Sequence, residues 1–257
     1  MEPADEGERA ISRAAFDAVI FDLDGVVTHT ASIHARAWKR VFDEFLERRA
    51  GREGTPFRPF EIERDYTEYV DGKPRCDGVR SFLEARGISL PEGKPSDGPE
   101  AETVCGLGNR KNEIYNRLLD EGGVDVFEDT VEQIRVWRGM GLKTAIVSSS
   151  KNCAAVLEAA DLTDLFDVRV DGVVSARLGL TGKPAPDIFL KAAELLDVDP
   201  ERSVVFEDAV SGVQAGRAGG FGWVVGVDRI DNPDVLLENG ADTVVDDLRK
   251  IRTGDGG

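Results

Sequence analysis

The chain has 257 residues, with 49 Asp+Glu against 32 Lys+Arg and a formal net charge of -17. At roughly 150 residues per domain, this is one large domain or two ordinary ones, enough to bury a core without disulfides or structural metal. The acidity argues against nucleic acid and anionic membrane as partners, since both require clustered Lys/Arg.

No run approaches the roughly 18 apolar residues that span a bilayer. The start, MEPADEGERA, is acidic and polar, unlike a secretory signal or an Arg-rich transit peptide, so the expected location is the cytoplasm. Cys76, Cys105 and Cys153 are odd in number and widely spaced. No CxxC occurs, and His29 and His34 are not near them. That excludes a disulfide framework and a Cys/His zinc site, and the thiols read as idle.

In chain order, residues 16–21 (FDAVIF) form a short β-rich run that ends in the polar turn DLDG. Residues 31–120 contain no convincing central strand. Ile33, Ala37, Trp38, Val41, Phe42 and Phe45 recur at helical spacing, and 61–70, 76–86 and 109–120 also read as helices. Between them, 87–108 is rich in Gly and Pro and reads as a loop. Further apolar runs follow at 144–147, 203–206, 223–227 and 243–245, separated by helical patterns at 128–139, 151–160, 186–196 and 209–218. Strands alternating with such helices predict βαβ units on a parallel sheet, with the site at the carboxyl ends of the strands. The expected organisation is a core from 1–30 and 121–257, interrupted by a helical cap over 31–120. The tail, 252–257, reads as disordered.

The strand ends carry the chemistry. Asp22 and Asp24 follow the first run at i and i+2, so both face one pocket while Leu23 faces the core. Two carboxylates that close repel, and a hard cation such as Mg²⁺ relieves the repulsion while leaving room for phosphate oxygens. The alternative is an ordinary Asp/Gly turn. The second run ends in Ser148-Ser149-Ser150 before a helix starting near Lys151, where a hydroxyl and free N–H groups would bind an anion; alternatively Ser150 only caps that helix. Lys183, between Gly182 and Pro184, offers a positive charge for phosphate, against the usual fate of a solvated lysine. The run 203–206 ends in Glu207-Asp208, which either complete a metal shell or, through Asp208, cap a helix.

Taken together, DxDG, a serine strand end, a lysine and an acidic pair resemble the haloacid dehalogenase superfamily, over nearly the whole chain. FDLDGVVTHT, SSSKNC, GKPAPDIF, FEDAVSGVQAG and Gly72-Lys73-Pro74-Arg75 resemble its β-phosphoglucomutase group. The resemblance implies an α/β fold, a Rossmann-like parallel-sheet core with an inserted α-helical cap. It implies Asp22 as the nucleophile that forms an aspartyl phosphate, Asp24 as general acid/base, and Lys183 and Ser148 as charge-compensating groups. It implies Mg²⁺ held by Asp22, Asp208, the Asp24 carbonyl and Glu207. Thr30, His34 and Lys111 would couple cap closure to the placing of Asp24, and Arg75 would hold the non-reacting phosphate. Gly72, Trp38, Ser149, Ser150 and Asn152 complete the implied substrate-binding set.

The alternatives for the cap residues are plain ones, His34 flanking the apolar stripe and Lys111 at a solvated helix start. His29 stands where the group often has an acid, Ser149 where a small apolar residue is common, and extra residues near 47–60 and 88–102 lengthen the cap. The implied activity is a hexose-phosphate mutase, interconverting β-glucose 1-phosphate and glucose 6-phosphate. The alternative is a sugar-phosphate phosphatase, for example on trehalose 6-phosphate. The implied partner is a small phosphorylated sugar, the protein acting as a monomer without nucleic acid or membrane. Hinge closure is expected about crossings near 28–31 and 120–124.

Overall fold

The computed structural model describes residues 9–229, 231 and 233–254. It divides into two compact units, one running to Thr28 and resuming at Val126, the other His29–Asp125. Residues 1–8 of the acidic start and 255–257 of the tail lie outside the described residues.

In the first unit, strands β1 (Ala10–Ile11) and β2 (Ala18–Asp22) come first. After the second unit come α4 (Glu128–Gly139), β3 (Lys143–Val147), α5 (Cys153–Ala159), β4 (Val168–Val170), α6 (Gly172–Leu178) and α7 (Asp187–Leu196). The chain continues through β5 (Ser203–Glu207), α8 (Val210–Ala218), β6 (Trp223–Val227), α9 (Pro233–Glu238), β7 (Thr243–Val245) and β8 (Arg252–Thr253). The main sheet is parallel with order β4-β3-β2-β5-β6-β7, the expected α/β architecture.

The central strands β2, β5 and β6 are buried at every position, because helices cover both faces. Ala18 and Ile20 of β2 pack with Ile188, Phe189 and Val213 on one face. On the other, Phe21 stacks on Phe206 at 4.7 Å between centroids, and Trp137 of α4 stacks on Phe206 at 5.2 Å. Truncating one of these rings to Ala would cost about 3–5 kcal/mol. The switch from buried apolar pairs to polar loops therefore falls at the carboxyl edge, where β3, β2 and β5 lie side by side.

Two expectations for this unit are corrected, and one strand is added. The tail does not run disordered from 252: Arg252 and Thr253 form β8, paired in parallel with Ala10 and Ile11 of β1, and Ile251 is buried. The helix placed at 151–160 is shorter, Cys153–Ala159, because Ser148-Ser149-Ser150 and the following turn are held by their own side chains. Strand β4 was not foreseen, since Val-Arg-Val is too short and too polar to stand out.

The second unit holds α1 (Thr30–Glu53), a π-helical turn (Ile62–Val70), α2 (Arg75–Ala85) and α3 (Val104–Gly122). Its core is aromatic: Phe42 lies 5.2 Å from Trp38 and 4.1 Å from Phe82, with Phe60 5.1 Å from Phe82. The stripe predicted on α1 is this core face; Ala37, Trp38, Val41, Phe42 and Phe45 are buried and Ile33 packs against them. The loop predicted to reach 108 ends earlier. Thr103 N-caps α3, its hydroxyl accepting the Gly106 N–H at 2.9 Å, so Gly106 and Gly108 lie inside the helix. Two glycines obscured that helix in sequence, and both are packing glycines. A Cβ at Gly106 would sit 2.2 Å from the Ala101 carbonyl oxygen, and one at Gly108 would sit 3.2 Å from Arg75 Cγ.

Candidate active site

Asp22 ends β2 at the carboxyl edge. The turn that follows folds back on itself, with Val27 and Thr28 N–H groups both donating to the Leu23 carbonyl at 3.0 Å and Gly25 N–H donating to Thr28 O at 2.8 Å. This buries Leu23 and exposes the Asp24 side chain partly. Asp24 N–H donates to Asp22 Oδ2 at 2.9 Å, and the Asp24 carboxylate accepts the Ser148 hydroxyl at 3.1 Å. Ser148 is the first residue past β3, so neighbouring strands deliver the two side chains to one place.

Lys183 is 3 % exposed, which disposes of a solvated surface lysine. Its ammonium donates to Asp22 Oδ1 at 2.5 Å and to both Glu207 oxygens at 3.2 Å. Burial opposes its charge, but the Asp22 and Glu207 carboxylates outweigh that and hold the lysine's pKa above its ordinary value. For Asp22 burial is the largest influence and raises the pKa; Asp24 adds to it, and Lys183 opposes it without cancelling it. The cluster is therefore over-supplied with acidic groups: Asp22 and Glu207 share one lysine, with Asp24 beside Asp22 and Asp208 beside both.

That surplus fits a divalent cation. Asp22, Glu207 and Asp208 each offer a carboxylate oxygen, and these atoms lie within 4.8 Å of one another. An all-oxygen, anionic donor set suits a hard cation. The Asp24 carboxylate lies outside this set, engaged with Ser148.

Two glycines make room for it, and sequence reasoning passed over both functions. A Cβ on Gly25, whose φ is +89°, would lie 1.7 Å from Asp208 Oδ2. A Cβ on Gly212 would lie 1.8 Å from Glu207 Oε1. Each carboxylate occupies space that any other residue would fill. Asp171, also unforeseen, is buried at the end of β4 and caps α6, accepting the Val173 and Val174 N–H groups at 2.9 and 3.0 Å.

The serine loop is held from within. Ser150 N–H donates to Ser148 Oγ at 3.0 Å, and Asn152 N–H donates to Ser150 Oγ at 3.1 Å. Asn152, not Ser150, is the N-cap residue of α5. Ser149 and Ser150 are half-buried.

In the second unit, Lys111 is 5 % exposed and lies about two turns inside its helix, not at the solvated helix start that its sequence neighbours suggested, because α3 begins at Val104. Its ammonium donates to His34 Nδ1, which leaves the ring proton on Nε2. It sits 5.1 Å from the Trp38 ring centroid and 4.9 Å from that of Tyr115. Tyr115, absent from the sequence-based set, stacks on His34 at 4.1 Å. Thr30 is buried at the start of α1. Gly72 adopts φ +68°, which turns the chain into Lys73-Pro74-Arg75. Arg75 is half-buried and has no carboxylate partner among the described residues; burial pulls its pKa below the ordinary value. An arginine in that condition favours an incoming anion.

The connections between the units run side by side. His29 N–H donates to Asp125 O at 2.9 Å, and Phe127 N–H donates to Val27 O at 3.0 Å.

Comparison with known proteins agrees with this geometry. The family model for haloacid dehalogenase-like hydrolases matches residues 16–220. The chain is 50% identical over 237 residues to the β-phosphoglucomutase of Mycobacterium bovis, covering 91% of this chain and 90% of that protein. It is 32% identical over 235 residues to the phosphorylated carbohydrates phosphatase of Thermotoga maritima, covering 89% and 94%. Among solved structures, β-phosphoglucomutase from Clostridium difficile superposes with a TM-score of 0.70 at 28% identity, covering 92% of this chain and 93% of that one. Among the described residues, no helix is long and apolar enough to cross a membrane.

Proposed function

Because the chain belongs to the haloacid dehalogenase-like hydrolase family, and within it to the β-phosphoglucomutase-like group, we propose that it is a magnesium-dependent β-phosphoglucomutase. The reaction interconverts β-glucose 1-phosphate and glucose 6-phosphate through a bisphosphate. The observation that carries the chemistry is the meeting of Asp22, Asp24, Ser148 and Glu207 at the ends of three adjacent strands with Lys183, which comes from the loop between α6 and α7.

Asp22 attacks phosphorus, the bond from phosphorus to the sugar oxygen breaks, and an aspartyl phosphate forms. Asp24 gives the departing oxygen its proton, then takes the proton of the next sugar hydroxyl to attack. Ser148, donating to Asp24, orients that carboxyl. Lys183, already clamped by Asp22 and Glu207, compensates charge on the transferring group without having to move. Asp22, Asp208, the Asp24 carbonyl and Glu207 would hold Mg²⁺, which supplies charge stabilisation to the phosphoryl oxygens when bound.

In the cap, Arg75, without a carboxylate partner among the described residues, would grip the phosphate that is not reacting, with Gly72, Ser149, Ser150 and Asn152 lining the sugar, whereas Trp38, expected there too, is buried in the cap core and backs Lys111. Thr30 and the Lys111–His34 pair would tie cap closure to Asp24. The substrate is a small phosphorylated sugar, and the reading places the enzyme in the cytoplasm as a monomer, without nucleic acid or membrane. Supplying β-glucose 1-phosphate, Mg²⁺ and a trace of glucose 1,6-bisphosphate should yield glucose 6-phosphate without matching release of phosphate. Phosphate alone would overturn the mutase reading. It would favour the second one, a sugar-phosphate phosphatase, which the Thermotoga maritima relative supports and a panel including trehalose 6-phosphate would resolve.

A further inference from the structure

Two thiols read as idle in the sequence are neighbours in the cap. Cys76 lies in the first turn of α2 and Cys105 in the first turn of α3, and their Sγ atoms are 4.0 Å apart. Both are free; Cys76 is partly exposed and Cys105 is buried. A disulfide needs the sulfurs about 2.05 Å apart, so bonding asks for a closure of about 2 Å between two helix starts. Helix starts yield more readily than helix interiors.

We propose that Cys76 and Cys105 form a peroxide-responsive dithiol site that closes to an intramolecular disulfide within the cap. Exposure gives the two sulfurs separate parts. The Cys76 thiolate attacks one oxygen of hydrogen peroxide, the O–O bond breaks, water leaves after protonation, and Cys76 becomes a sulfenic acid. Cys105 gives up its proton, and its sulfur attacks Cys76 Sγ. The S–O bond breaks, a second water leaves, and the disulfide forms. Two thiols are oxidised by two electrons and one peroxide is reduced to two waters. Burial first, and the neighbouring Cys76 second, push the Cys105 pKa up to about 11, which keeps it a thiol and leaves the first reaction with peroxide to Cys76.

The site adjoins Arg75. That residue directly precedes Cys76, and its Cγ lies against Gly108, one turn beyond Cys105 on α3. Drawing the two helix starts together tightens the seam that holds the arginine's stem. The effect on catalysis rests on the phosphate-holding part proposed above for Arg75; the disulfide does not.

The test treats the full-length protein with hydrogen peroxide and digests it without reductant. Expected is a peptide pair joining Cys76 to Cys105, about 2 Da lighter than the sum of its thiol forms and separated by dithiothreitol. Cys153, fully buried, should stay alkylatable only after unfolding. Cys105→Ala should leave Cys76 to advance to the sulfinic acid, and Cys76→Ser should abolish the cross-link. Sulfinic Cys76 in the unsubstituted protein, a disulfide between two copies, or thiols untouched by peroxide would each overturn the proposal. The oxidised protein should show a several-fold higher KM for β-glucose 1-phosphate, restored by dithiothreitol. A cross-linked protein with unchanged KM would overturn the link to Arg75. A reduced protein that makes no glucose 6-phosphate would overturn the mutase reading instead, with the cross-link still visible by mass.

Discussion

Gly25 and Asp208 contend for one volume: a Cβ on the glycine would lie 1.7 Å from Oδ2 of the aspartate. The positive φ of Gly25 and the placing of Asp208 are thus one requirement. Gly25→Ala should displace Asp208 and weaken Mg²⁺ by about 10- to 100-fold, the usual effect of disturbing a ligand's support. A MgCl2 titration of activity checks it, and an unchanged midpoint would refute it. Gly212→Ala, pressing on Glu207, should shift the same midpoint in the same direction.

Lys183 holds two buried carboxylates together. Lys183→Met leaves Asp22 and Glu207 uncompensated, and stability without Mg²⁺ should fall by about 3–5 kcal/mol. Adding Glu207→Gln to that variant should restore part of the loss. Urea unfolding of the three proteins decides; equal midpoints would show that the lysine is not what neutralises the pair.

Asp22→Asn should keep the fold, since the amide is isosteric and relieves a like-charge contact with Asp24. Turnover should drop at least about 10³-fold, as for other nucleophile removals. Retention of ordinary turnover would remove Asp22 from the chemistry.

Arg75→Ala should raise KM for β-glucose 1-phosphate by about 10- to 100-fold, the worth of one or two charge-assisted hydrogen bonds. Arg75→Lys should recover little, because a point charge does not replace a planar fork. If phosphate transfer proceeds with unaltered KM in Arg75→Ala, another residue holds the distal phosphate.

Asp65 gives the cap an acid limit. Its carboxylate is fully buried and is held by the Glu61 N–H at 3.0 Å, by Arg64 at 2.9 Å and by Arg86 at 2.6 Å. Burial pushes its pKa up, but these donors outweigh burial and the net shift is downward. A carboxylate depressed by folding stabilises fully above its unfolded pKa, near 3.9. That stability is lost as pH falls through the lowered folded value. Acid unfolding of the cap should therefore steepen below about pH 4 and flatten in Asp65→Asn. Identical acid titrations of the two proteins by far-UV circular dichroism would count against it.

The long, regular signals were readable in the sequence. Helix α4 matches its predicted span, and the strands at 144–147, 203–206 and 223–227 lie where their apolar runs do. The acidic and serine strand ends were readable too, because burial on both faces leaves polar side chains only at the edge. What stayed hidden depended on partners distant in sequence. The pairing of Arg252 and Thr253 with Ala10 and Ile11 gives a strand to residues with no strand character. Helix α3 extends through two glycines because Ala101 and Arg75 fill the space beside them. Tyr115 and the two cap thiols carried no motif; only folding sets them beside His34 and one another.

The paired connections have a further consequence. The cap's first and last residues are one hydrogen bond apart, His29 to Asp125, and Asp22, Asp24, Ser148, Lys183, Glu207 and Asp208 all lie outside that segment. The cap is therefore a detachable module in the architectural sense. Thr28 and Val126 could be rejoined by a short linker with the carboxylate cluster left whole, and a different insert could be seated at the same doorway. The carboxylate cluster and the helical insert are written in separable stretches of chain, so one can be exchanged while the other is inherited.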